Sequence, residues 1–180
     1  MATEVYKAIV IGPASVGKSS LVRRYLEDIF TETYTATIGA QLKAANMNFP
    51  DGTVVLSIVD LGGQESFELL RSQFYQGAHY VMLVYDPTER ETFDAIIEWY
   101  EGLALSFCER SENPVNGALV ANKSDKESFF EVDPQEGRQL AQVLCLDFYQ
   151  TSAKTGENVG ELFINAAIKS RMSFAKANSF

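Results

Sequence analysis

One eight-residue segment near the N-terminus constrains this chain more than any other. Residues 12–19 read Gly-Pro-Ala-Ser-Val-Gly-Lys-Ser, which is the pattern G-x-x-x-x-G-K-[ST]. An apolar run at residues 8–11 precedes the segment and a helical pattern follows it. In that context several backbone N–H groups turn inward, and the helix adds the positive end of its dipole. The segment therefore predicts a loop that binds a polyphosphate.

The side chains of this loop have separate expected roles. We expect Lys18 to reach the β- and γ-phosphates of a nucleotide, and the Ser19 hydroxyl to bind Mg²⁺. The other positions that we expect to contact the nucleotide here are Ala14, Ser15, Val16, Gly17 and Ser20.

Length and charge exclude some classes of function. A chain of 180 residues predicts a single domain over residues 1–180. The net charge of −9 argues against a nucleic-acid partner, since no basic stripe is present to neutralise phosphates. Cys108 and Cys145 lie in periodic apolar segments and are predicted to be buried thiols, which suits a reducing, cytoplasmic compartment. We see no signal peptide and no apolar run long enough to cross a membrane.

Apolar runs alternate with helical patterns along the chain. Strands are predicted at residues 5–11, 39–49, 53–60, 79–85, 117–121 and 147–151, and helices at residues 17–26, 66–76, 89–107, 134–145 and 157–172. This order predicts an α/β fold, with a mostly parallel six-stranded sheet flanked by about five helices. Ligands of such sheets bind beyond the carboxyl ends of the strands, so the residues after each strand are the candidate site.

The residues that follow the third strand suit a metal-bound triphosphate. Asp60 is placed to hold Mg²⁺ through a water, and Gly63 can offer its N–H to a γ-phosphate because it has no side chain. Gln64 is the candidate catalytic residue, since its amide can orient a water for in-line attack on that phosphate.

The residues that follow the last two strands suit a guanine base. Asp125 can accept hydrogen bonds from N1–H and the exocyclic amine of guanine, a donor pair that adenine lacks. The stem of Lys123 can cover the base, and the Ala153 N–H is available for the guanine carbonyl. The same segments contribute Asn122, Ser152 and Lys154.

These residues together resemble a known family. With the sequences at residues 37–39, 75–78, 83–86 and 151–156, the chain resembles small GTPases of the Ras superfamily, and most of all the Rab family, over residues 5–172. The fold is then that of a P-loop NTPase G domain. The sequence at residues 60–64, Asp-Leu-Gly-Gly-Gln, lacks the common Thr-Ala before Gly-Gln and is most similar to the divergent Rab twenty-eight subgroup.

The resemblance implies a switch that binds GTP or GDP with Mg²⁺. Phe30 would pack edge-on against guanine, Tyr34 would cover the phosphates, and Thr37 would close on Mg²⁺ and the γ-phosphate. Switch I would span about residues 30–39 and switch II about residues 61–76. Loss of the γ-phosphate would relax both loops. An exchange factor, a GTPase-activating protein and effectors would bind the switch regions. The protein would be a monomer that regulates vesicle traffic.

The resemblance also implies a location. Rabs are anchored by lipidated C-terminal cysteines, and residues 176–180 contain none, so the anchoring tail is expected to be absent from this chain. The protein would be cytoplasmic and would cycle, if lipidated, to the cytosolic face of an endosomal membrane or of the ciliary or flagellar base.

Some residues depart from the family pattern. A methyl group at Ala14 would crowd the space between the γ-phosphate and Gln64, which predicts slow unaided hydrolysis of GTP. Leu42, Val59 and Phe74 replace the usual aromatic triad, so effectors should differ from typical Rab effectors.

Two alternatives to a hydrolysing switch stay open. One is a nucleotide-binding assembly subunit with negligible hydrolysis, which the presence of Gln64 disfavours. The other is an ATP-dependent P-loop kinase or ATPase, which Asp125 disfavours.

Overall fold

The computed structural model describes residues 2–32, 36–63, 68–108 and 115–177. Its six strands are β1 (Ala2–Ile11), β2 (Ala40–Phe49), β3 (Gly52–Leu61), β4 (Tyr80–Tyr85), β5 (Gly117–Asn122) and β6 (Asp147–Thr151). Its α-helices are α1 (Lys18–Glu27), α2 (Glu68–Tyr75), α3 (Arg90–Asp94), α4 (Ile96–Cys108), α5 (Pro134–Val143) and α6 (Val159–Ala177). A 3₁₀ helix spans Ser124–Phe129.

The strands form one six-stranded sheet in the order β2-β3-β1-β4-β5-β6. The hairpin of β2 and β3 is antiparallel, whereas β3-β1-β4-β5-β6 are parallel. Every residue of β4 and β5 is buried, because helices cover both faces of a sheet built from βαβ units. The predicted α/β fold and its mostly parallel six-stranded sheet are confirmed.

Two hydrophobic layers hold the helices against the sheet. On one face, α1 and α6 pack together, and the rings of Tyr25 and Phe163 stack with centroids 4.3 Å apart. On the other face lie α2 to α5, where Trp99 is 9% exposed and packs in the core. Both layers leave the carboxyl ends of the parallel strands open to a ligand.

Several details differ from the sequence-based expectations. The helix predicted over residues 89–107 is divided at Ala95 into α3 and α4, so the described residues form six α-helices rather than about five. The Trp99 N–H still donates to the Ala95 carbonyl, so the helical path continues through the division. Cys145 is exposed, not buried, since it follows α5 with a φ of 56° where the chain turns toward β6. The side chain of Cys108 lies outside the described part.

The described helices include none with the length and apolar character needed to span a membrane.

Candidate functional site

A cavity of about 670 Å³ lies where the parallel strands end. Residues from all four of the segments singled out after strands line it, together with the loop between α1 and β2. The predicted site residues that line the cavity are Ala14, Ser15, Gly17, Lys18, Ser19, Ser20, Phe30, Thr37, Gly63, Asn122, Lys123, Asp125, Ala153 and Lys154. Gln64 and Tyr34 lie outside the described residues, so their roles stay predictions.

The phosphate loop orients its lysine through its own carbonyl groups. Gly17 precedes α1 with a φ of 94°, a left-handed conformation that glycine adopts without strain. The Lys18 side chain is buried beneath the loop, and its Nζ donates to the carbonyls of Gly12 at 2.7 Å and Pro13 at 2.5 Å. A buried ammonium beside the first turn of α1 makes this end of the cavity suitable for an anion.

Three oxygen-bearing side chains from three elements meet next to Lys18. The Ser19 hydroxyl on α1 donates to Asp60 Oδ2 at the end of β3, and it lies 2.7 Å from the hydroxyl oxygen of Thr37. Asp60 is 2% exposed, and its Oδ1 has no hydrogen-bond partner among the described residues. Burial raises the pKa of Asp60, while the Ser19 hydrogen bond and the charge of Lys18 oppose that rise.

This oxygen cluster fits the predicted metal. Mg²⁺ prefers hard oxygen ligands, and two hydroxyl groups with a buried carboxylate are such a set. A cation there would also be a partner for the Asp60 Oδ1 atom, which the described protein leaves without one. The oxygen atoms of Ser19, Thr37 and Asp60 are thus close enough to bind one ion.

Gly63 lies directly against the phosphate loop. A Cβ atom built on Gly63 would be 2.5 Å from the Ala14 nitrogen and 2.5 Å from the Pro13 carbonyl carbon. No side chain fits there, so the backbone after β3 can approach the same point as the loop. This placement suits the predicted contact of the Gly63 N–H with a terminal phosphate.

Another part of the cavity wall contains the groups predicted to read the base. The Ser152 hydroxyl donates to Asp125 Oδ1 at 2.5 Å and accepts from the Thr155 N–H at 3.1 Å. Ser152 therefore stands behind Asp125 and orients its carboxylate rather than lining the cavity itself. Lys123 has a φ of 68°, and its ammonium pairs with the fully buried carboxylate of Asp86.

Asn122 lines the cavity and also connects three segments of the site. Its side chain is 1% exposed; Nδ2 donates to the Val16 carbonyl at 2.9 Å, and Oδ1 accepts from the Thr151 hydroxyl and the Ala153 N–H, both at 3.2 Å. The Ala153 N–H, expected to be available for guanine, thus has a protein partner here. The Val16 side chain is fully buried in the core, so that residue can offer only its backbone.

Sequence reasoning missed several residues at this site. Arg23 and Lys126 line the cavity, Arg24 donates to the carbonyls of Ala153 and Lys154, and Asp86 pairs with Lys123. The spacing could have predicted Arg23, because it follows Ser19 by four residues and therefore lies on the same face of the helix. Asp86 directly follows β4, just as Asp60 stands at the end of β3.

Comparison with known proteins agrees with this geometry. The model of the family described as Ras family matches residues 7–172. The chain belongs to the Ras family. It is 36% identical over 170 residues to the Ras-related protein Rab-1D of Dictyostelium discoideum, a match that covers 93% of this chain and 81% of that relative. The chain is therefore a Rab-like Ras-family small GTPase, a family whose members bind guanine nucleotide with Mg²⁺.

One expectation about the partner surface of this Ras-family chain needs correction. The three positions of the altered aromatic triad do not share one exposed surface. Leu42 is 66% exposed on the edge strand β2, and Phe74 is partly buried against the core. Val59 is 1% exposed and lies in that core, so a partner cannot contact its side chain.

Proposed function

We propose that this protein is a magnesium-dependent guanine-nucleotide switch that hydrolyses GTP slowly and regulates vesicle traffic. The observation that carries the proposal is the meeting of Thr37, Ser19 and Asp60. Thr37 belongs to the loop before β2, whereas Ser19 and Asp60 stand on the rigid elements α1 and β3. The position of that loop then depends on what occupies the oxygen cluster, which is the requirement for a switch.

Each group has a role in this proposal. The loop N–H groups and Lys18 bind the phosphates, and Ser19, Thr37 and Asp60 hold Mg²⁺, which neutralises the negative charge of the phosphates. Gln64 orients the attacking water. The Ala14 methyl group crowds that water, so we expect unaided single-turnover release of phosphate below about 10⁻³ s⁻¹. Among the described residues the one arginine that lines the cavity, Arg23, bonds the Thr31 hydroxyl at 3.0 Å, so we expect a GTPase-activating protein to supply the arginine finger.

The choice of base supplies the direct test. Asp125→Asn replaces one carboxylate acceptor by an N–H₂ donor, which suits the second carbonyl of xanthine instead of the exocyclic amine of guanine. We expect GDP to bind about 100-fold or more weakly to this variant and XDP to bind more tightly. Displacement of a fluorescent GDP from the unmodified protein, and of a fluorescent XDP from the variant, by GDP, GTP, XDP and ATP measures this selectivity.

A second carboxylate serves as the control. Asp133→Asn changes the N-cap of α5, where the carboxylate accepts from the Gln135 N–H at 2.7 Å, and should leave base selectivity unchanged. Displacement of the probe by ATP as effectively as by GTP from the unmodified protein would refute the guanine assignment. Phosphate release that stays undetectable in the presence of a cell extract would favour the assembly subunit without hydrolysis.

We propose the subgroup, the switch regions and the partners from the sequence pattern. The residues at 60–64 favour the Rab twenty-eight subgroup, and switch I (30–39) and switch II (61–76) are the surfaces for an exchange factor, a GTPase-activating protein and effectors. The protein would act as a monomer, cytoplasmic and recruited to an endosomal or ciliary membrane through a lipidated tail. A pull-down with Gln64→Leu loaded with GTP tests these partner assignments.

A further inference from the structure

Arg24 joins two segments of the chain that each lead to the lining of the nucleotide cavity. Its side chain is 17% exposed. Nε donates to the Ala153 carbonyl at 2.8 Å, and Nη2 donates to the Lys154 carbonyl at 2.6 Å. Nη1 donates to the carbonyl of Asp28 at 3.1 Å and to its carboxylate at 2.9 Å. One guanidinium therefore holds three separate backbone carbonyls.

Both attached segments lie next to the cavity. Ala153 and Lys154 line the cavity beside Asp125, where the base is proposed to bind. Asp28 ends α1 with a φ of 53°, and Phe30, which also lines the cavity, follows two residues later. We name residues 152–154 the base wall and residues 28–30 the switch root.

We propose that Arg24 is a positioning residue that sets how long a guanine nucleotide stays bound, by tying the base wall to the switch root. This inference rests on the proposed binding of guanine nucleotide. Because the two carbonyls of the base wall point at Arg24, their position, and that of the adjoining N–H groups, follows the position of helix α1. A partner that moves the switch root pulls on Asp28 and loosens the base wall without touching the base.

The chemistry of arginine suits this role. Its planar fork presents five donors in fixed directions, so one side chain can hold several carbonyls at once, whereas a lysine offers a single ammonium. A second connection is the salt bridge from Lys154 Nζ to Glu32 at 3.1 Å. The side chains of Lys154 and Glu32 are 53% and 79% exposed. The bond from Arg24 Nε to the Ala153 carbonyl is partly buried, so salt and water weaken it less than such an exposed pair.

The test is the rate at which a fluorescent GDP dissociates from purified protein, followed by stopped flow with excess unlabelled GDP. For Arg24→Ala we expect dissociation to accelerate about 10- to 100-fold, which corresponds to about 1.4–2.8 kcal/mol. Arg24→Lys should lie between this variant and the unmodified protein, since its ammonium can still hold some of the carbonyls. Arg138→Ala removes an exposed arginine of α5 that lies over the Phe148 ring, and it should change the rate less than twofold.

Two further measurements separate positioning from a general loss of structure. With EDTA in excess the absolute rates rise, but the fold-change caused by Arg24→Ala should persist, because sites that act independently give additive effects. The preference for GDP over ADP should also fall in this variant, which a purely structural defect on the phosphate side would not produce.

The outcomes are distinct. A rate within threefold of the unmodified protein for folded Arg24→Ala, or an effect that disappears in EDTA, overturns the inference. If thermal unfolding shows that Arg24→Ala does not fold, Arg24→Lys decides: an unchanged rate overturns the inference and a faster rate supports it. An unmodified protein that binds no GDP refutes the proposed function instead.

Discussion

The Asn122→Ala variant tests whether this asparagine holds the site together rather than binding a ligand. The side chain joins the phosphate loop at Val16 to β6 at Thr151 and to the base wall at Ala153, through bonds of 2.9, 3.2 and 3.2 Å. A Cβ on Gly17 would lie 2.3 Å from Asn122 Nδ2, so the loop is shaped around this side chain. The stability of the ligand-free protein should therefore depend on it.

The magnitude follows from the groups left behind. Truncation removes the partner of three polar atoms on residues that are 0–3% exposed. Each buried group without a partner costs about 1–3 kcal/mol, and relaxation of the neighbours makes the sum less than additive. We expect a loss of about 2–5 kcal/mol in the free energy of unfolding. For a domain of this size that corresponds to a fall in Tm of about 5–15 °C.

Urea unfolding of nucleotide-free protein, followed by tryptophan fluorescence of Trp99, measures this loss. Asn48→Ala is the matched control, because Asn48 is exposed on β2 and its Oδ1 accepts a single bond from the Thr53 hydroxyl at 3.1 Å. That variant should lose less than about 0.5 kcal/mol. If Asn122→Ala is as stable as this control while its affinity for GDP falls, Asn122 is a ligand contact and our reasoning is wrong.

Two other variants test separate features. Gly63→Ala should weaken binding of a non-hydrolysable GTP analogue about tenfold or more, because the new Cβ would clash with the Ala14 nitrogen. The control Gly102→Ala, in open space on α4, should not weaken this binding. Equal titration curves for the two variants would refute the prediction. His79 accepts the Lys7 N–H at Nδ1, and burial, aided by the Lys7 charge, lowers its pKa, so the folded state favours neutral histidine. The free energy of unfolding should therefore fall as pH drops below about 6.5, by at most about 1.4 kcal/mol per pH unit. Urea unfolding of His79→Asn between pH 5 and 8 should lack this dependence. An unchanged slope of unfolding free energy against pH in the variant would contradict the prediction.

The sequence predicted the parts of the site that local pattern encodes. A loop whose backbone binds phosphate needs glycines, lysine and serine at fixed spacing, so residues 12–19 are recognisable without a structure. Alternating strands and helices place strand ends at one edge of a sheet. This rule brought Asp125 and Ala153 to one cavity, and Asp60 to Ser19 in its lining. Both predictions rest on rules that relate neighbouring residues or strand order.

The parts that were missed depend on contacts between distant residues. Arg24 meets Ala153 across 129 positions, and nothing in the sequence near either residue specifies that contact. Asn122 stands in a motif expected to bind nucleotide, yet its neighbours in space occupy its amide. Val59 was assigned to a partner surface because of its position in a family pattern, whereas burial depends on the helices packed over β3.

The distribution of charge explains how an acidic chain can hold a polyanion. The protein carries a net charge of −9, yet five of its 15 lysines and arginines line the cavity: Lys18, Arg23, Lys123, Lys126 and Lys154. The acidic residues on the same lining are Glu32 and Asp125. Basic residues are thus concentrated along a concave site, which favours a compact anionic ligand such as a nucleotide, while the net negative charge of the protein disfavours extended nucleic acid. Raising the ionic strength should therefore slow nucleotide association more than it accelerates dissociation, because steering acts before contact whereas the buried Lys18 is shielded from salt.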